Sequence, residues 1–171
     1  MAGDDRAPGA STQDQDAGTR ELIARYLAGP ALLARAIAGM DAAQLDSRPI
    51  EGKMSTREVV AHIADAEQFY AGRMKATIAG DAPLVLAGRP PDRPVPPEHD
   101  ERDVDQDVDR LRQAREEMVA ELRSLAADVW ERVAMQREDH SVTLRQLLER
   151  TALHLETHVE AIEEKRTALG L

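Results

Sequence analysis

The sequence lacks cysteine altogether. This absence excludes disulfides, iron–sulfur clusters, thiolate zinc sites and a cysteine nucleophile, so any sulfur chemistry must use a thiol brought in from outside. Aromatic residues are also scarce, at 2% of the 171 residues. The apolar residues are therefore mostly Ala, Leu, Val and Ile at spacings of three and four, which predicts helices rather than strands.

Positive charge is in deficit, with 22 Lys and Arg against 32 Asp and Glu and a net charge of −10. That balance repels phosphate backbones and anionic lipid, so we expect neither a nucleic-acid nor a membrane partner. The chain also lacks the apolar run of about 20 residues that a transmembrane helix needs. Residues 1–18 mix Gly, Ala, Ser, Gln and Asp, which predicts a disordered tail rather than a signal peptide. We expect a cytoplasmic protein with one domain at residues 19–171.

Beyond the tail, the pattern predicts four long amphipathic helices. They run from about Thr19 to Met40, from Ser55 to about Ala79, from about Val104 to Ala127, and from Ser141 or Thr143 to about Leu169. Ser55 and Glu58 form an S-x-x-E capping box that marks the start of predicted helix 2. Gly29-Pro30 should kink or split predicted helix 1. The charged residues of predicted helix 3 are interpreted as a solvated face.

A connection with six prolines, from Gly80 to about Arg102, separates predicted helices 2 and 3. A 24-residue helix is about 36 Å long and an extended chain covers about 3.3 Å per residue, so this connection can run the full height of a bundle. Helices 2 and 3 are therefore expected to be parallel, with 1 and 2, and 3 and 4, antiparallel. The prediction is an all-α four-helix bundle with a long crossover connection between helices 2 and 3.

Three histidines carry the candidate chemistry. His154 and His158 stand four residues apart in predicted helix 4, so their imidazoles project from one face and can reach one metal ion. His62 lies on the inner stripe of predicted helix 2 and can meet the pair across the bundle interior. Three neutral imidazoles suit zinc, nickel or copper rather than calcium or magnesium. Spacing alone leaves a second interpretation open, in which these are hydrogen-bonded core histidines.

Two stretches of the chain resemble the DinB/YfiT-like superfamily. They comprise Arg48-Pro49, Gly52 to Ser55, Glu58 to His62, Asp65 to Glu67 and Arg73 in the first stretch, and Thr143-Leu144, Leu147-Leu148 and the histidine pair in the second. The resemblance covers about Glu21 to Gly170. It implies a four-helix bundle with a crossover and a divalent metal, usually nickel or zinc, at His62, His154 and His158. Met54 stands where the family commonly has Trp, which should affect packing more than ligation.

The resemblance also implies an enzyme. Characterised relatives include thiol transferases and isomerases that use bacillithiol, mycothiol or glutathione, and a metal with open positions suits such a thiol. The same positions could hold water, which would make the protein a hydrolase. A third alternative is non-catalytic, with the metal joining two helices or the bundle serving as a binding or stress-response module. A small-molecule substrate is expected, and a homodimer is an open alternative.

Asp65 and Arg73 are the candidate catalytic residues. Asp65 follows His62 by nearly one turn and could orient a ligand or accept a proton, whereas Arg73 could bind a substrate carboxylate as a fork. Glu58 is assigned to capping. The remaining candidates are His99, which a proline-rich lid could carry over the site, His140, expected to be exposed or capping, Phe69 and Trp130, expected in the core, and Tyr26 and Tyr70, expected to pack.

Overall fold

A computed structural model describes residues 12–85, 102–136 and 140–171. Its elements are α1 (Thr12–Ile37), α2 (Ala42–Asp46), α3 (Thr56–Ala79), β1 (Leu84–Val85), α4 (Val104–Leu122), α5 (Ala127–Trp130), β2 (Val133–Gln136), β3 (Ser141–Thr143) and α6 (Leu144–Leu169). The long helices α1, α3, α4 and α6 are the predicted helices 1 to 4. Each of α1 and α3 packs against both α4 and α6, so the predicted four-helix bundle is confirmed.

Contacts between side chains show the directions of neighbouring helices. Arg25, in the first half of α1, pairs with Glu156 of α6. Arg166, near the end of α6, donates to the carbonyl of Ala36 near the end of α1 at 3.2 Å. From the first contact to the second, the residue numbers increase along both helices. Helices α1 and α6 are therefore parallel, although they are the first and last elements of the bundle.

The crossover has the predicted effect on α3 and α4. Arg102, just before α4, contacts Asp65 in the first half of α3 at 2.7 Å. Near the far ends of the two helices, Lys75 of α3 lies 3.9 Å from Glu121 of α4. Helices α3 and α4 are thus parallel, as the long connection predicts. Most of that connection, residues 86–101 with His99 among them, lies outside the described residues.

Capping decides where the helices begin and end. The predicted capping box is formed, with the Glu58 amide donating to Ser55 Oγ at 3.2 Å and the Ser55 amide donating to Glu58 Oε2 at 2.6 Å. Thr143 and Gln146 make the same reciprocal pair at the start of α6. Helix α3 ends at Ala79 and is capped by Gly80, whose φ of 91° is left-handed and is reached at little cost by a residue without a Cβ.

Helix α1 differs from its prediction at both notable points. It begins at Thr12, so residues 12–18 of the segment predicted as a disordered tail are helical, and residues 1–11 lie outside the described residues. It also runs through Pro30 as one helix, so the expected split does not occur. Pro30 has no amide hydrogen for the carbonyl of Tyr26, four residues earlier, and that carbonyl accepts a bond from Arg115 instead.

A short sheet is present that the helical pattern does not predict. Strands β1 and β2 are parallel, with Leu84 opposite Met135, and β2 and β3 are antiparallel, with Met135 opposite Val142. Predicted helix 3 ends at Leu122 instead of Ala127, and the short helix α5 leads into β2. These strands have two to four residues, which is too short for alternation to be told from helical spacing. No helix in the described ranges is both long and apolar enough to cross a bilayer.

Candidate metal centre

The three predicted histidines meet between α3 and α6. His154 Nε2 lies 3.1 Å from His62 Nε2 and 3.2 Å from His158 Nε2. One ring nitrogen from each residue lies within 4.8 Å of the other two. His62 comes from the second turn of α3, and the other two come from successive turns of α6. All three rings are half-buried, so the cluster is reachable from solvent.

The donor set fits a divalent ion of the zinc or nickel type. Two nitrogens bound to a tetrahedral zinc at about 2.1 Å are about 3.4 Å apart. The nitrogens of His154 and its two partners are 3.1 and 3.2 Å apart, close to that value. Among the residues that the structure describes, the cluster consists of three imidazoles without a carboxylate, which favours zinc, nickel or copper over calcium or magnesium. An ion held by three ligands keeps positions open for a substrate.

Burial keeps the histidines of α6 neutral. It is the largest cause that lowers the pKa of His154 to about 4, and the nearby charges of His158, His62 and Arg115 act in the same direction. Burial likewise lowers the pKa of His158 to about 4, with contributions from His62 and Lys165. At neutral pH each of these rings is therefore uncharged, with one nitrogen protonated and the other offering the lone pair that a metal ligand requires.

The two candidate catalytic residues are outside the three-histidine cluster and have polar partners of their own. Asp65 is half-exposed and pairs with Arg102, which precedes α4, at 2.7 Å. Arg73 donates to Thr77 Oγ1 at 3.4 Å and to the carbonyl of Ala82 at 3.2 Å. Both contacts hold Arg73 toward the end of α3 and the turn that follows.

The other residues singled out in the sequence have varied positions. Glu58 caps α3, as predicted, and also accepts from Arg48 at 2.7 Å. Trp130 is buried and belongs to the core, whereas the prediction that Phe69 is a core residue is wrong, since 51% of it is exposed. Tyr70 packs near the triad, with its ring centroid 6.2 Å from that of His154. His140, which was predicted to be either exposed or capping, is exposed.

Sequence reasoning missed a buried polar network next to the triad. Arg115 is 1% exposed, although the charged residues of its helix were interpreted as a solvated face. Its Nε and Nη2 both contact Glu67 Oε2 at 2.8 Å, and its Nη1 donates to the carbonyl of Tyr26 at 2.7 Å. Nη2 also lies 3.5 Å from the carbonyl of Thr151. The network therefore joins all four helices of the bundle.

Tyr26 completes this network, and Gly29-Pro30 is the feature of the sequence that could have indicated it. The hydroxyl of Tyr26 donates to Glu67, and burial raises the pKa of this phenol, which keeps its proton in place. The guanidinium of Arg115 also lies 4.3 Å from the centre of the Tyr26 ring. The signal is Gly29-Pro30, since the proline frees a carbonyl and the glycine leaves room for the guanidinium. We call Tyr26, Gly29, Pro30, Glu67 and Arg115 the arginine socket.

Fold and site together define a class of protein. It is a four-helix bundle in which the middle helices are parallel and a three-histidine cluster lies between α3 and α6. The DinB superfamily matches residues 25–162, and the chain belongs to that superfamily.

A solved structure shares this fold. The chain is similar to YfiT from Bacillus subtilis, described as a probable metal-dependent hydrolase with an unusual four-helix bundle topology. The TM-score is 0.78 at 23% sequence identity, over 96% of this chain and 93% of that one. No curated protein matches the chain.

Proposed function

We propose that this protein is a metal-dependent enzyme that acts on a small molecule in the cytoplasm. Its metal would be a divalent ion, zinc or nickel, held by His62, His154 and His158. The observation that carries the proposal is the convergence of three imidazole nitrogens within 4.8 Å in a half-buried site. The proposal needs neither nucleic acid nor a membrane, and a homodimer stays a prediction.

The chain's own residues hold the ion and set its surroundings. A bound divalent ion would lower the pKa of a thiol or a water molecule at its open positions and act as a Lewis acid. Arg115 of the arginine socket contacts Glu67 of α3 and the carbonyl of Thr151 of α6, one turn before His154. These contacts connect the two ligand-bearing helices next to the site and would support its preorganisation for an ion.

The favoured nucleophile is a low-molecular-weight thiol, for transfer or isomerisation. A thiol has an ordinary pKa of about 8.5 and needs little further help to ionise at a metal, whereas water needs much more. The three acids nearest to His62 along α3 already have arginine partners. Asp65 pairs with Arg102, Glu58 with Arg48 and Glu67 with Arg115. Since the chain has no cysteine, the thiol would come from bacillithiol, mycothiol or glutathione.

Hydrolysis is the second candidate. It is supported by the description of YfiT as a probable metal-dependent hydrolase, on a chain with the same fold. In that case, water would take the place of the thiol, and an ester or amide would be cleaved without any added thiol.

Metal content is the first test. Protein purified without a His tag should contain about one zinc or nickel per chain by elemental analysis, and replacing any histidine of the triad with alanine should remove it. His140→Ala is the matched control, because this histidine is exposed and outside the cluster. Equal metal content in His154→Ala and His140→Ala would contradict the metal centre.

Activity is the second test, and it separates the alternatives. Conjugation of each of the three thiols to 1-chloro-2,4-dinitrobenzene should depend on metal and on His154. Cleavage of p-nitrophenyl acetate without any thiol would instead support a hydrolase. Metal that is bound without turnover in either assay, together with a large loss of melting temperature in His154→Ala, would favour a structural metal that joins α3 and α6.

A further inference from the structure

The only phenylalanine of the chain lies on the surface near the triad, instead of in the core. Phe69 is 51% exposed, and it follows His62 by seven residues on α3. Seven residues make two helical turns, so the two side chains lie on the same stripe of the helix, about 10 Å apart along its axis. His62 shows that this stripe faces α6 at the metal centre.

Aromatic contacts connect Phe69 to the triad. Its ring lies 5.3 Å from that of Tyr70 at an interplanar angle of 72°, and the ring of Tyr70 lies 6.2 Å from that of His154 at 68°. Both are edge-to-face arrangements, the geometry that aromatic pairs prefer. The rings form a continuous row from His154 of the candidate metal centre through Tyr70 to the half-exposed Phe69.

We propose that Phe69 and Tyr70 are the part of the site that binds an aryl group of the substrate, next to the atom that reacts at the metal. This inference rests on the proposed function and adds a substrate class to it: a flat apolar group attached to a polar head that reaches the triad. An aryl group placed there would cover the exposed phenyl face and extend the row of edge-to-face contacts.

Exposure of an apolar residue near the triad does not by itself indicate a binding site, as Leu153 shows. It is 52% exposed, about as much as Phe69, and it is adjacent to His154 in sequence. Leu153 lies about 100° around α6 from His154, and, as a residue without a ring, it does not extend the row of aromatic contacts. Single exposed apolar residues of this kind are common and need no function. Leu153 therefore serves as a matched control for Phe69.

Two hydroxamates test the inference by binding alone. Acetohydroxamate and benzohydroxamate carry the same metal-binding head and differ in a methyl against a phenyl group. Their dissociation constants would be measured by titration calorimetry on the zinc-loaded protein, and their ratio expresses the preference for the aryl group. We expect benzohydroxamate to bind about five- to tenfold more tightly in the wild type, which is the range of one good aromatic contact.

Variants at Phe69 and at Leu153 should show which of the two exposed residues contributes to binding of the aryl group. Phe69→Ala should bring the ratio close to one and leave acetohydroxamate binding unchanged, whereas Phe69→Trp and Leu153→Ala should keep the ratio of the wild type. A ratio that is the same in Phe69→Ala as in Leu153→Ala, or a wild type without preference, would overturn the inference alone. A zinc-treated wild type that binds neither hydroxamate would overturn the metal centre and the inference together.

Discussion

Replacing Gly29 with alanine tests the arginine socket, because two physical effects predict opposite signs. A Cβ on Gly29 would lie 2.2 Å from Nη1 of Arg115 and 3.0 Å from Cδ1 of Leu155. The guanidinium cannot yield freely, since it is held by Glu67 on one side and by the carbonyl of Tyr26 on the other. The added methyl group therefore has to displace Arg115 or separate α1 from α4.

The expected magnitude follows from comparing these effects. Alanine is favoured over glycine inside a helix by about 1 kcal/mol. Breaking a buried ion pair by displacing one partner costs about 3–5 kcal/mol, because the carboxylate of Glu67 would stay buried without its cation. The steric effect is the larger, so we expect Gly29→Ala to lower the free energy of unfolding by about 2–4 kcal/mol. At about 2–4 °C per kcal/mol, the melting temperature should fall by roughly 4–16 °C.

Urea denaturation of the metal-free protein measures this change. Gly72→Ala is the control, since Gly72 is also inside a helix and a Cβ there would meet nothing within 4 Å. That variant should gain up to about 1 kcal/mol. In the double variant Glu67→Gln/Arg115→Met, which removes both charges, adding Gly29→Ala should cost much less than it does in the wild type. If Gly29→Ala proved as stable as Gly72→Ala, the explanation of the socket would be wrong.

Three further predictions concern protons, capping and metal. The fold holds the pKa of His154 and His158 near 4, whereas the ordinary value is 6.5, so protons favour the unfolded chain and the metal-free protein should lose stability as pH falls from about 6.5 to 4. Urea midpoints across this range should show the loss, and the double variant with leucine at both positions should show a flatter dependence; parallel curves would contradict the assignment. Ser55→Ala should lower the free energy of unfolding by about 1 kcal/mol, measured by thermal melting, while an unchanged midpoint would deny the capping box a role. Zinc at 100 times its dissociation constant should raise the stability by about 2.7 kcal/mol, and an equal rise in His62→Ala would place the ion elsewhere.

Sequence patterns predicted the bundle well where the signals were long or local. The four long helices, the capping box at Ser55 and the crossover that makes α3 and α4 parallel are all confirmed. The three short strands and α5 were missed, because segments of two to four residues hold too few positions for a periodic pattern. Phe69 was misassigned for a different reason: its hydrophobicity predicts burial, and position along one stripe does not say what covers that stripe.

Arg115 was misassigned for a similar reason. In the sequence it is one charged residue among many on α4, and a charged helix face is most often solvated. Its burial depends on Glu67 from α3, on the free carbonyl at Tyr26 and on the space above Gly29, which come from two other helices. Gly29-Pro30 predicts an interruption of the helix, but the sequence does not show that Arg115 would occupy the space and bind the free carbonyl there.

By itself, the sequence determined the helices, the i, i+4 pairing of His154 and His158 and the need for an external thiol in any sulfur chemistry. These depend on local spacing and composition, which each segment carries independently of the rest of the chain. Only the tertiary structure decided that His62 comes within 3.1 Å of His154, that burial lowers the pKa of both histidines of α6, and that Arg115 is enclosed between the helices. Those facts arise from the packing of segments far apart in sequence, because desolvation and contact distances exist only once the helices have met.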